Sequence, residues 1–437
     1  MSMHCYQCSM STPDGCGSKG QPAGSCGKDE NLSRIQDIII FGLKGIAAYR
    51  VQANHYGADL KEVDDIVNEA LYFTLTNVNF NFQQHIDMLM KVGSATAKIM
   101  TILDKAHTDA FGSPSPVNVT QNKVQGKAIL VSGHDHHSLK KILEQSAGKG
   151  VNVYTHSEML PSHSYPELAK YDHLKGNVGK SWFDQKDLFA KFQGAIFMNT
   201  NCIVPTKGKP YVDRLFTYAQ VGAEGTTIIE NDDFTPLINK ALELPETNWD
   251  SNETVATGHH HSVILSLAPQ IIDAVKTGKL RRFFVIAGCD TPGVGGDYYR
   301  QLASIIPQDC VILTSSCGKF RFNDLEFGTV PGTDIPRYLD LGQCNDSVGG
   351  VIIASQLAQV FGCGINDLPL SIVLSWMEQK AVAILLALFN IGVKDIRLGF
   401  RAPQFVNEDI LNFLVDTFDF KLISTPEKDL ADMLAGH

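Results

Sequence analysis

A chain of 437 residues with 44% hydrophobic and 19% charged residues is too long for one ordinary core and too well balanced to be disordered or fibrous. Its 47 acids against 37 bases give a net charge of −10, spread without long blocks of one sign, which argues against nucleic-acid binding. The start, Met1 to Cys8, is polar and lacks the apolar stretch of an export signal, so a cytoplasmic location is expected and the 10 cysteines are expected to be ligands or packed thiols, not disulfides.

Cys5, Cys8, Cys16 and Cys26 come first, in a Gly/Ser/Pro-rich loop with the spacing C-x2-C-x7-C-x9-C. Four thiols in so short a segment can wrap one metal centre, with zinc and iron–sulfur both compatible. Helical periodicity follows over Leu32 to Tyr49, Leu60 to Leu75 and Phe80 to His107, which together read as a three-helix bundle. Gly112, Pro114 and Pro116 mark a linker.

From Lys127 the period changes. KAILVSG, a helix from Ser138 to Ala147, NVYTHS, AIFMNTN and TTIIE read as βαβ organisation. A polar stretch then leads to a helix from Val263 to Thr277 and to six apolar runs: FFVIAG, CVILTS, YLDLG, LSIVLSW, DIRLG and KLIST. Runs of this length alternating with helices predict a doubly wound parallel sheet. Ala381 to Leu388 is the most membrane-like stretch, but it is too short to span and Glu378 and Lys380 precede it. A buried helix is expected there. The fold class is therefore α/β: an N-terminal cysteine-rich loop and helical bundle (1–112), then two Rossmann-like α/β domains with mainly parallel sheets (113–262 and 263–437).

Ligand-type residues sit just past the ends of these strands. His134 follows AILVSG, Glu158 follows NVYTHS, Cys202 follows AIFMNTN, and Glu378 follows LSIVLSWM. Cys289, Cys317 and Cys344 follow RFFVIAG, VILTSS and YLDLGQ in the same way. Open α/β sheets carry their chemistry in the crevice beyond the strands' carboxyl ends, so facing sheets would let all seven converge. Thiolates favour sulfide-bridged iron, whereas imidazole and carboxylate favour iron bound to oxygen or nitrogen. The mixture implies a cluster with a sulfur-rich and an oxygen-rich side.

Other candidates carry bland readings. Cys310 and Cys363 are expected to pack as small hydrophobes. His136, His137 and the run His259 to His261 are expected to be solvated. GVGG at Gly293 to Gly296 imitates a dinucleotide loop but has Tyr298 where the last glycine should stand. Nicotinamide binding is not expected.

The blocks CYQC, CGK, GLKGIAAY, SGHD, YTHSEMLP, TNCIVP, AGCD, SSCGKFRFN, LGQCNDS and WMEQKA, in this order along nearly the whole chain, resemble the hybrid cluster proteins, also called prismane proteins or hydroxylamine reductases. That family is related to the nickel–iron carbon monoxide dehydrogenases. The resemblance implies a [4Fe-4S] cluster on Cys5, Cys8, Cys16 and Cys26. It also implies a hybrid [4Fe-2O-2S] cluster on His134, Glu158, Cys202, Cys289, Cys317, Cys344 and Glu378, with Cys289 as a persulfide. Catalytic roles are implied for Cys289, Glu378, Lys380, His134 and Glu158. The gap from Cys16 to Cys26 is longer than in the commonest members. The interval before SGHD is short, matching the short form of the family that lacks the second helical bundle, and a homodimer would cover the face left open.

The expected reaction is reduction of hydroxylamine to ammonia and water, fed by an external electron donor protein. Nitric oxide reduction to nitrous oxide and protein S-nitrosylation are the alternatives on the same cluster. A redox-sensing or electron-transfer protein without turnover is the alternative of another class.

Overall fold

The computed structural model describes all residues except 1–4, 14, 17–22, 250, 252, 292, 376–377, 400 and 437. The chain forms two compact units, one of Met1–Leu103 with Ile372–Ser424 and the other of Asp104–Ser371 with Thr425–Gly436.

The first unit begins with a small antiparallel pair, β1 (Ser11–Thr12) and β2 (Gly15–Cys16). Helix α1 (Glu30–Asn54) starts where the Asp29 side chain accepts the Leu32 amide at 2.8 Å, satisfying one of the orphan donors of a helix N-terminus. Helices α2 (Lys61–Phe73) and α3 (Phe82–Phe111) follow, as the apolar periodicity predicts. The buried stripe of α1, with Ile35, Ile39, Leu43, Ile46 and Tyr49, faces the core.

The second unit contains the first sheet. Strand β3 (Val117–Thr120) leads into β4 (Lys123–Ser132), followed by helix α4 (His136–Ser146) and β5 (Val151–His156). Strands β6 (Leu174–Asn177), β7 (Ala195–Met198), β8 (Leu215–Tyr218) and β9 (Thr227–Ile229) complete a parallel sheet in the order β6-β5-β4-β7-β8-β9. The order reverses beside β4, which places a topological switch point between β4 and β7. Strand β10 (Thr247–Trp249) adds to β4 antiparallel, and β11 (Thr254–Thr257) pairs with β3. The strands are buried on both faces, as parallel sheets require: every residue of β7 is buried, and Ala128, Leu130, Tyr154, Ile196 and Met198 share one core with Phe189, Phe192 and Leu215.

In the same unit, β12 (Arg282–Gly288), β13 (Cys310–Thr314) and β14 (Tyr338–Asp340) pair in parallel. Residues 372–424 of the first unit carry the rest of β15 (Leu370–Ser375), then β16 (Ile396–Leu398) and β17 (Lys421–Leu422), also parallel. All six apolar runs of the C-terminal part are thus strands.

Two readings need adjustment. The helix read over Val263 to Thr277 is two, His261–Ser266 and Ala268–Lys276, because Pro269 stands in the first turn of the second and cannot continue the first. Strands β6 and β8 carry no long apolar run and were not foreseen. The apolar stretch near Ala381 lies, as expected, within the buried helix Gln379–Asn390, and no helix among the described residues is long and apolar enough to cross a membrane.

Candidate metal centre

Six of the expected ligands follow strands of the second unit, and each stands at or just after a backbone position with positive φ. Gly133 (φ 125°) precedes His134, Ser157 (54°) precedes Glu158, and Gly288 (104°) precedes Cys289. Ser316 (67°) precedes Cys317, Gly342 (126°) stands two before Cys344, and Cys202 itself has φ 76°. Left-handed Ser and Cys residues are sparsely populated and persist where their surroundings over-determine them. Their recurrence turns the chain sharply at each strand end. At Gly133 a side chain is excluded twice over, since a Cβ would meet Asn199 Oδ1 at 2.0 Å.

The side chains converge. Ligand atoms of His134, Glu158 and Cys344 all lie within 4.8 Å of one another, with His134 and Glu158 buried and Cys344 half-buried. Glu158 Oε2 accepts the Cys344 amide at 2.7 Å, while its carbonyl accepts from Gln343 Nε2 at 2.6 Å. Cys317 Sγ lies 3.3 Å from Ser157 Oγ. Burial pushes the Cys317 thiol well up, and the neighbouring Glu158, Cys202 and Cys289 push it in the same direction. Such crowding of acidic groups opposes deprotonation until a cation compensates them.

Supporting residues orient this set. His134 Nδ1 shares a 2.7 Å hydrogen bond with Thr200 Oγ1, so a metal would be taken by Nε2. The His134 amide donates to Asn199 Oδ1 at 2.9 Å, and Asn199 Nδ2 donates to the Asp135 carbonyl at 2.8 Å. The Cys202 carbonyl accepts from Gln185 Nε2 at 2.7 Å, and Asn201 Nδ2 lies 3.3 Å from Cys202 Sγ. Burial opposes the charge on Lys319, but Asp340, Glu158 and Cys317 together hold its ammonium above the ordinary lysine value. Asn199, Thr200, Gln343 and Lys319 were not foreseen; the sequence signal of the last three is a place inside the motif blocks, and that of Asn199 a place in the run AIFMNTN.

The first unit holds the remaining candidates. Cys5 and Cys16 are buried against each other, Cys8 is exposed and Cys26 is half-buried. Ser11 bonds back to this loop, its Oγ donating to the Cys5 carbonyl at 2.7 Å and its amide to the Cys8 carbonyl at 3.1 Å. Lys28, almost fully buried, donates to Gln7 Oε1 at 2.6 Å and so ties the C-x2-C turn to the start of α1. Glu378 stands at the N-terminal end of the helix Gln379–Asn390 without a side-chain capping bond and is half-buried; Lys380 is buried with its ammonium 6.0 Å from the Tyr49 ring centroid.

The histidines read as solvated are not. His136, His259 and His260 are buried. His260 and His261 both turn Nε2 to the Asp104 carboxylate, at 2.9 and 3.1 Å, and His259 Nδ1 accepts the Asp340 amide at 3.3 Å. Burial works against the Asp104 charge, but the two imidazoles hold its carboxyl below the usual range. The histidine run is a polar support, which a solvated reading missed because its acidic partner lies 156 residues away. Cys310 is buried, Cys363 half-buried, and none of the described cysteines is in a disulfide. At the glycine run, a Cβ on Gly296 would meet the Arg321 guanidinium at 2.4 Å.

The donor set fits a polynuclear iron–sulfur centre. It offers four soft thiols beside one imidazole and one carboxylate; His134, Glu158 and Cys317 are buried and Cys202, Cys289 and Cys344 half-buried, with the imidazole oriented by a second partner.

The chain matches the Prismane/CO dehydrogenase family over residues 3–89 and 57–431. It is 48% identical to the hydroxylamine reductase of Moorella thermoacetica, over 99% of this chain and 100% of that protein. It is 44% identical to the hydroxylamine reductase of Methanothermobacter thermautotrophicus, again over 99% and 100%. Among solved structures, a nickel-free carbon monoxide dehydrogenase from Thermococcus sp. AM4 superposes with a TM-score of 0.76 at 16% identity, covering 99% of this chain and 90% of that one. At that identity the likeness shows the fold alone. With a family match along nearly its whole length and full-length relatives above 40% identity, the chain belongs to the Prismane/CO dehydrogenase family.

Proposed function

We propose that this chain is an oxidoreductase that reduces hydroxylamine to ammonia and water, consuming two electrons and two protons as the N–O bond breaks. The observation that carries the proposal is the convergence of His134, Glu158 and Cys344 beside Cys317, in a chain 48% identical to a hydroxylamine reductase along its full length. A plain electron-transfer cubane has no need of an imidazole and a carboxylate. A substrate-binding centre does.

In its finer form the proposal assigns Cys5, Cys8, Cys16 and Cys26 to a [4Fe-4S] cluster. It assigns His134, Glu158, Cys202, Cys289, Cys317 and Cys344 to the hybrid [4Fe-2O-2S] cluster, with Cys289 as the persulfide. Glu378 enters as the seventh ligand from its place after a strand in the sequence together with the resemblance, and Lys380 as a catalytic group from the resemblance alone. When bound, the hybrid cluster supplies electrons and a Lewis-acidic position for the substrate nitrogen or oxygen. The chain's part is orientation and proton supply. Thr200 fixes the His134 ring, the Cys344 amide fixes one oxygen of Glu158, and His134, Glu158, Glu378 and Lys380 are the candidate proton donors. A cytoplasmic homodimer served by an external electron donor protein completes the proposal.

Anaerobic turnover with a common reductant tests this reading against its rivals. Ammonia formed in a one-to-one ratio with hydroxylamine consumed supports it. Faster nitrous oxide formation from nitric oxide at equal low substrate concentration would move the assignment to that substrate. Stoichiometric nickel with carbon monoxide oxidation would replace it.

A further inference from the structure

We propose that the buried Lys319–Asp340 pair is a positioning clamp that fixes the Cys317 turn against the Cys344 turn, an inference that rests on the metal centre proposed above. Both side chains are 0% exposed. Lys319 Nζ lies 3.0 Å from each Asp340 oxygen and donates to the Gly342 carbonyl at 2.7 Å, using its three donors within one loop. The Gly342 amide returns to Asp340 Oδ1 at 3.0 Å, and the Ser316 amide donates to the same Gly342 carbonyl at 3.1 Å. Lys319 is two residues after Cys317, and Asp340 and Gly342 are four and two before Cys344. The pair therefore joins the two thiol-bearing turns that leave adjacent parallel strands.

Backbone conformation calls for such a device. Ser316 and Gly342 both have positive φ, and a serine in that region is held only by its surroundings. A Cβ on Gly342 would meet Asp346 Oδ2 at 2.2 Å, so this turn has no slack. Stability does not explain the pair. A buried ion pair repays its desolvation poorly, and well-packed apolar residues often replace it at no loss. What apolar residues cannot replace is the directed grip on Gly342, whose carbonyl also takes the Ser316 amide, and through it on where the two sulfurs point.

The test compares wild type with the double variant Lys319→Met with Asp340→Leu, both reconstituted anaerobically with iron and sulfide. The readouts are iron per chain, the EPR signals of the two clusters, and the urea unfolding midpoint. The clamp predicts that the double variant unfolds at or above the wild-type midpoint and keeps the N-terminal cluster. The second centre is expected to fall about 10-fold or more in occupancy at limiting iron, the scale on which groups that orient metal ligands act. Wild-type occupancy of the second centre in a folded double variant overturns the proposal. If the double variant does not fold, Asp340→Asn decides. This variant keeps the shape and loses the charge, and loss of the second centre from the folded protein supports the clamp while full occupancy refutes it. A wild-type chain that loads only the N-terminal cluster would refute the underlying reading of the centre, and the clamp with it.

Discussion

Glu158 shows how much a single ligand depends on what surrounds it. It follows a left-handed serine, gives one oxygen to the Cys344 amide at 2.7 Å, and lies close enough to Cys317 to disfavour that thiol's ionisation. Cys317→Ala should therefore do more than remove one sulfur. We expect the second iron centre to be lost with the N-terminal cluster retained, read as a drop in iron per chain and loss of one EPR signal; two intact signals would contradict the assignment. Cys289→Ala is expected to abolish turnover by removing the persulfide position while leaving the N-terminal cluster intact.

A residue away from the centre gives the pH prediction. Burial pushes the Lys123 ammonium at the start of β4 down to about 6. The unfolded chain holds its proton up to the ordinary lysine value of 10.5, so across that window the unfolded state binds more protons and stability rises with pH. Lys123→Met should raise stability at pH 7 and flatten the rise, as checked by urea unfolding at several pH values. An unchanged slope would show that Lys123 is charged in the fold.

Elements decide how closely helices can approach. In the first unit, a Cβ on Gly45 of α1 would meet the Gln379 carbonyl and Ala383 Cβ at 2.6 Å, and one on Gly93 of α3 would meet the Leu386 carbonyl at 2.2 Å. Helix Gln379–Asn390 thus packs on backbone where side chains would forbid contact. Gly45→Ala should destabilise by about 1–3 kcal/mol, the usual cost of overpacking, seen as a lower urea midpoint; because the clash falls on the residue between Glu378 and Lys380, activity should fall as well.

The same scale shows what the sequence made legible. Long apolar runs such as those of β4, β7 and β13 announce buried parallel strands. Strands β6 and β8, with LKGN and LFTY, do not, because tertiary pairing overrides a weak local pattern. Helix α3 was read from its period, whereas its Asp104 gave no sign of holding two distant histidines.

For the whole molecule, the six proposed ligands of the second unit stand out in the sequence because each follows a strand and lies in a recognisable block. Their supports were not. Asn199, Gln343 and Lys319 are polar residues in turns, where such residues are ordinary, and only the folded chain joins Lys319 to Asp340 or Glu158 to Cys344. The short helical segment before β4 motivates the homodimer, and sedimentation at micromolar concentration should give a dimer; a sharp monomer peak would refute it.

The central claim is that the second unit houses a substrate-reducing iron centre. Its most direct measurement is anaerobic hydroxylamine reduction by iron-loaded wild type and by Cys289→Ala, with ammonia and reductant counted together. The account predicts one ammonia per two electrons for wild type and none for the variant. Equal ammonia formation by both, or electron uptake without ammonia in wild type, would contradict it.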